Sequence, residues 1–232
     1  MAGTPLVMLP GLLNTRRLFE HQIAGLSDIA DCIVPELWHH DTMAALAGAA
    51  LAAAPRRFAL AGFSMGGYVA FEILRQAPER VERLALLDTQ AVPDTPEATK
   101  RRQGLLEQTK IGRFHGVRPS LLRQIVHRSH LRDTAITQPI VDMAREVGAE
   151  GFVRQQTAIM GRPDSRPLLV DIRVPTLVIV GREDRATPPP QSQKMAADIA
   201  TSRLVVVEEC GHMSPLEKPD DVTAALRGWL TP

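Results

Sequence analysis

Ser64 stands in the run Gly62-Phe63-Ser64-Met65-Gly66, between a stretch that patterns as a strand and one that patterns as a helix. A serine hydroxyl raised on a tight strand-to-helix turn is placed for nucleophilic attack. Such a turn strains the backbone at the serine and admits only residues without bulk two positions to either side, here Gly62 and Gly66, with Gly67 adding slack. A hydroxyl is a weak nucleophile on its own and needs a base. Of the seven histidines, only His212 sits in a glycine-flanked loop, Cys210-Gly211-His212-Met213, after a strand-like run of the C-terminal half. His39 and His40 follow the second strand-like run and His115, His127 and His130 lie in a long helical interval, so these five read as surface or lid residues; His21 falls in the first helical run. A base in turn needs a carboxylate to hold its tautomer. Gly181-Arg182-Glu183-Asp184 ends another strand-like run, with Pro188 to Pro190 closing the loop, so Asp184 and Glu183 are both candidates; Asp88, at the end of an earlier strand, is a third.

The elements that would carry these residues follow from hydrophobic periodicity. Strands are predicted at 5–9, 31–35, 58–62, 83–88, 176–181 and 203–207, and helices at 18–26, 42–54, 65–76, 191–199 and 220–230. Strands that read as continuous apolar runs, each followed by a helix, imply a parallel sheet covered on both faces. Right-handed crossovers make that a doubly wound, mainly parallel six-stranded α/β fold. The interval 92–174 breaks the alternation: Leu105, Leu106, Leu121, Leu122, Ile125, Val126, Ile136, Ile140, Val141, Met143 and Val147 fall at helical spacings. It reads as a helical cap inserted into one domain, whose core is 1–91 and 175–232. No internal repeat or low-complexity linker interrupts the chain.

Taken together, these motifs resemble the α/β-hydrolase superfamily over nearly the whole chain, in the chain order Ser64, acid, His212 expected of that fold. The resemblance selects Asp184 as the acid, since the superfamily's acid sits at that offset. It also matches Leu9-Pro10-Gly11-Leu12-Leu13, after the first strand, to an oxyanion loop, which implies that the backbone N–H groups of Leu12 and Met65 form the oxyanion hole. Met65 opens a helix, where free N–H groups and the helix dipole favour negative charge. Two departures from the pattern are read: the first strand comes almost at once, so the superfamily's usual N-terminal antiparallel hairpin is not expected ahead of it, and Pro10 stands where many relatives carry histidine. A serine at 64 excludes the aspartate-nucleophile branches, haloalkane dehalogenases and epoxide hydrolases.

The implied chemistry is hydrolysis of a carboxylic ester or thioester of a small acyl substrate through an acyl-enzyme. Gly11, Leu12, Leu13, Phe63, Met65 and Met213 are expected to wall the substrate pocket. The same three groups could serve a C–C hydrolase or lyase acting on a β-diketone, and a non-catalytic ligand receptor on the same fold is the other alternative. No cofactor or metal is expected, since no Cys/His/Asp cluster has ligand spacing. Between 97 and 132 lie nine lysines and arginines against Glu97 and Glu107. This reads as a solvated helix face whose arginine stems cover apolar surface; the competing reading is a lid that recognises an anionic group.

Composition excludes other classes. Lysine plus arginine number 27 against 26 for aspartate plus glutamate, and aromatics are 4%, so neither a nucleic-acid partner nor a membrane surface is expected. The N-terminal residues lack the basic and apolar regions of a signal peptide, and the alanine-rich run 44–54 is far short of the ~20 apolar residues a membrane span needs. Cys32 and Cys210 form no disulfide framework and read as reduced thiols, so a cytoplasmic location is expected. Oligomeric state is left open.

Overall fold

The computed structural model describes residues 3–231. Six strands, β1 (Thr4–Leu9), β2 (Ala30–Ile33), β3 (Phe58–Phe63), β4 (Val81–Leu87), β5 (Thr176–Gly181) and β6 (Ser202–Val207), form one sheet in the order β2-β1-β3-β4-β5-β6. Every pairing is parallel. The helices are α1 (Glu20–Leu26), α2 (Met43–Ala53), α3 (Met65–Gln76), α4 (Pro96–Lys110), α5 (Pro119–Ile125), α6 (Thr134–Met160), α7 (Arg166–Leu169), α8 (Pro189–Asp198), α9 (Ser214–Glu217) and α10 (Pro219–Leu230). This is the doubly wound α/β architecture that the apolar strand runs predict.

Central strands are apolar throughout because both faces are covered; every residue of β3 and of β5 is buried. Alternation along each strand divides the core in two. Val7, Leu9, Phe58, Leu60, Leu84 and Leu86 pack with the buried faces of α2 and α3, while Leu6, Met8, Ala59, Ala61, Leu87 and Ile179 pack with Leu26 of α1 and with Val222, Leu226 and Trp229 of α10. The chain runs outward from β1 to β2, then crosses back to β3, so the strand order reverses between β1 and β3. The crevice at the carboxyl ends of the strands around such a reversal is where this architecture places ligands.

Some boundaries differ from expectation. The helix predicted from 18 begins as a 3-10 turn, Arg16–Phe19, capped by Thr15, and becomes α-helical only at Glu20. The second strand occupies Ala30–Ile33 rather than 31–35, since it pairs only along the start of β1. Strand β4 starts at Val81 and stops at Leu87, because Asp88 turns to φ 44°. Between β4 and β5 the chain is helical. Its longest element, α6, is two helical arms joined at Gly148, whose φ of 68° and ψ of −177° break the ladder. No helix among the described residues is long and apolar enough to cross a membrane.

Candidate active site

Ser64 caps β3 and opens α3 with φ 51° and ψ −114°, a conformation costing a residue with a Cβ roughly 1–3 kcal/mol. Three hydrogen bonds hold it there: Ser64 N–H donates to the Leu87 carbonyl at 2.9 Å, its carbonyl accepts from Gly67 N–H at 2.9 Å, and from Thr89 Oγ1 at 2.7 Å. The flanking glycines are needed for close approach. A Cβ on Gly66 would stand 2.0 Å from the Leu9 carbonyl oxygen, and one on Gly62 2.5 Å from the Gly66 carbonyl oxygen. Gly67 does more than add slack, since the Thr89 hydroxyl fills the space a Cβ would take, 2.3 Å away.

Loops after β5 and β6 bring the other two groups to this turn. His212 Nε2 lies 3.0 Å from Ser64 Oγ, and His212 Nδ1 lies 2.9 Å from Asp184 Oδ2. Asp184 is 3% exposed and His212 7%. The carboxylate is further held by N–H groups of Ala186 at 2.8 Å and Thr187 at 3.0 Å, and by Thr187 Oγ1 at 2.7 Å. Burial pushes the Asp184 carboxyl up, but the His212 charge and the hydrogen bonds from His212 and Thr187 outweigh it, leaving the group below its ordinary value. For His212 burial works downward, and the Asp184 charge and hydrogen bond overcome it, so the imidazole lies above its ordinary value.

The rival carboxylates have other partners. Glu183 accepts from Cys210 N–H at 3.0 Å, tying the two loops together. Asp88 is fully buried; its Oδ1 accepts from Gly181 N–H at 2.9 Å and its Oδ2 from the Ser214 hydroxyl. Burial, then the neighbouring Asp184 charge, raises Asp88 well above the usual carboxylate range, the opposite direction to Asp184.

Above Ser64 opens a cavity of about 220 Å³. Leu12, Leu13, Phe63, Met65 and Met213 line it, as the sequence predicts; Gly11 does not. Gly11 is buried behind the wall, where a Cβ would meet Asn14 Oδ1 at 2.8 Å and the Phe63 ring at 2.9 Å, so its lack of a side chain serves packing rather than the pocket surface. Leu13, at φ 59°, gives its N–H to Gln155 Oε1 at 3.0 Å, and Asn14 N–H closes the turn onto the Gly11 carbonyl at 3.2 Å. Leu12 N–H is used by neither, and Met65 N–H, at the first position of α3, has no acceptor within its helix. No grouping of three His, Cys, Asp or Glu side chains among the described residues could hold a metal ion, and both cysteines are free.

A family model for the alpha/beta hydrolase family matches residues 6–226. The chain belongs to the alpha/beta hydrolase family. A thermophilic esterase from Thermogutta terrifontis, solved with malate bound, superposes with a TM-score of 0.88 at 30% identity, covering 99% of this chain and 90% of that one. A pimeloyl-[acyl-carrier protein] methyl ester esterase of Neisseria meningitidis is 28% identical over 182 residues, 73% of this chain and 68% of that protein. A 2-hydroxy-6-oxononadienedioate/2-hydroxy-6-oxononatrienedioate hydrolase of Paraburkholderia phymatum is 29% identical over 180 residues, 74% of this chain but only 61% of its own length.

Within this alpha/beta hydrolase, several side chains at the site carry no sequence signature. Gln155, on the second arm of α6 and fully buried, accepts from Leu13 N–H and donates to the Leu37 carbonyl at 2.9 Å. Glu217 accepts from N–H groups of Met213 at 3.0 Å and His127 at 2.7 Å and pairs with His130 at 3.0 Å, joining the His212 loop to the segment after α5. His212 N–H itself donates to the Ile125 carbonyl at 2.8 Å. Only Thr187 had a local cue, a hydroxyl three residues past a loop aspartate.

Proposed function

We propose that this alpha/beta hydrolase cleaves a carboxylic ester or thioester of a small acyl substrate, with Ser64 as nucleophile, His212 as general base and Asp184 as the acid that orients it. The observation that carries the reading is the unbroken chain of hydrogen-bond contacts from Ser64 Oγ to His212 to Asp184, opening into a cavity. His212 Nε2 takes the Ser64 proton as Oγ attacks the carbonyl carbon, and Asp184 stabilises the imidazolium that forms. The N–H groups of Leu12 and Met65 hold the oxyanion, a role in which losing one donor costs roughly 10²–10³ in rate. The imidazolium returns its proton to the departing alcohol or thiol. Water then attacks the acyl-enzyme by the same route, releasing the acid and restoring Ser64.

Relatives named as esterases support the ester reading, while the relative named for an oxo-dienedioate keeps C–C bond hydrolysis as the second reading. Turnover of p-nitrophenyl butyrate, set beside a dienoic diketone, separates the two. The ester reading expects turnover of the first, falling by orders of magnitude in Ser64→Ala with folding intact. A variant that kept more than a tenth of wild-type turnover would overturn the nucleophile assignment.

A further inference from the structure

Of the nine cations between 97 and 132, eight are exposed, and Arg102 alone is drawn partly inward. The eight behave as the solvated face that composition predicts. Arg102, on α4, instead lines the cavity above Ser64, beside Tyr68 and Gln90. Tyr68 lies on the first turn of α3, four residues after Ser64, and lines the same cavity. The cavity therefore has a polar end at Tyr68, Gln90 and Arg102, and its lining also includes the apolar side chains of Leu121, Ile125, Ile140 and Met213.

The charge at that polar end is not balanced. Arg102 Nε pairs with Asp94 Oδ2 at 2.6 Å, and buried Arg162 pairs with Asp94 Oδ1 at 2.6 Å, so two guanidinium groups share one carboxylate. Arg162 is otherwise committed: it donates to the carbonyls of Val92 and Ile159 and stacks 4.3 Å from the centre of the Tyr68 ring. Arg102 Nη1 donates to Gln156 Oε1 at 2.7 Å, which leaves Nη2 as the nitrogen without a protein acceptor among the described residues. No carboxylate lines the cavity among the described residues, and apart from His212 its only cation is Arg102. Asp94 and Gln156 hold the guanidinium in place in advance, so binding an anion there costs little side-chain ordering.

The geometry points to Arg102 as the residue that selects substrates carrying a carboxylate on one arm of the ester, with Tyr68 and Gln90 beside it. The inference rests on the reading of Ser64 as the nucleophile. A cavity of about 220 Å³ suits a half-ester of a short dicarboxylic acid and is smaller than the roughly 300–1,000 Å³ of pockets for drug-sized ligands, which excludes a whole coenzyme within it.

Calorimetric titration of monomethyl glutarate and of dimethyl glutarate into Ser64→Ala, where neither ester turns over, tests this. The half-ester is expected to bind roughly 10- to 100-fold more tightly than the diester, the worth of one hydrogen bond to a charged partner. The added substitution Arg102→Gln abolishes the preference, Arg102→Lys keeps part of it, and Arg101→Gln, an equal loss of charge at an exposed neighbour, leaves it whole. Should Arg102→Gln not fold, the Arg102→Lys and Arg101→Gln arms still decide. An equal affinity for the two esters in Ser64→Ala, a preference that survives Arg102→Gln, or one lost equally in Arg101→Gln overturns the inference. Failure of the catalytic reading looks different: the half-ester binds with the expected preference, yet the wild-type protein hydrolyses neither ester.

Discussion

At the rim of the sheet, backbone meets backbone. A Cβ on Gly66 would lie 2.0 Å from the Leu9 carbonyl oxygen, and one on Gly181 2.0 Å from that of Gly211. Across the cavity, the helices inserted between β4 and β5 reach the rim through polar side chains, Gln155 to Leu13, Glu146 to Thr15 at 3.3 Å and Asp142 to Arg17 at 3.1 Å, and Glu217 of α9 reaches back to accept from His127 N–H. The two regions divide the work. Close backbone contact leaves the rim one geometry, which is what the proposed proton transfer requires. Side-chain bonds that can be broken singly, with one backbone bond from His212 N–H to the Ile125 carbonyl, tie the inserted helices to the rim, and these helices supply Arg102, Leu121, Ile125, Ile140 and Ile159 to the cavity lining.

If that division holds, disrupting the rim should cost far more than releasing one tie. Asp184→Asn stands to lose the most, roughly 10³–10⁴ in kcat, since an amide cannot hold the catalytic tautomer of His212. Its pH profile sharpens the assignment. The base must be neutral to accept a proton, so kcat/KM rises with pH as His212 deprotonates, and the Asp184 charge that raises His212 moves that limb to higher pH. Asp184→Asn should shift the limb downward; a limb that stays in place would point to a different base. Next comes Gly66→Ala, where the new methyl meets the Leu9 carbonyl. Its destabilisation is expected at or above the upper end of the ~1–3 kcal/mol of overpacked sites, read as a fall in melting temperature or loss of folded protein.

Gln155→Ala frees one tie and leaves Leu13 N–H and the Leu37 carbonyl unpaired, at a cost of about 1–3 kcal/mol in chemical denaturation, with a lower kcat/KM as the Leu12 loop loosens. A cost as large as that of Gly66→Ala would erase the contrast between the regions. The smallest effect has the opposite sign. Gly104 lies within α4 with open space around it, so Gly104→Ala should stabilise by up to ~1 kcal/mol.

The same contrast explains what could be read from the sequence. Gly62, Ser64, Gly66 and His212 were legible because tight turns at strand ends impose their residue types locally. The strand runs were legible because double-sided burial makes them continuously apolar. Gln155 was invisible, since the partner that gives it meaning, Leu13, is 142 residues away. Arg102 was hidden among eight similar cations, and only packing against Asp94 and Gln156 sets it apart. Asp88 and Asp184 looked alike as strand-end aspartates; burial and the choice of hydrogen-bond partner separate them. The Gly148 break gave no warning, because a glycine in a helical pattern is often tolerated without one.

The most direct test of the central claim is active-site labelling with a fluorophosphonate, followed by peptide mass spectrometry. The proposed mechanism predicts one adduct per chain, on Ser64, forming faster as pH rises through the His212 titration and almost absent in His212→Ala. Label on another residue, or equal labelling without the imidazole, would contradict it.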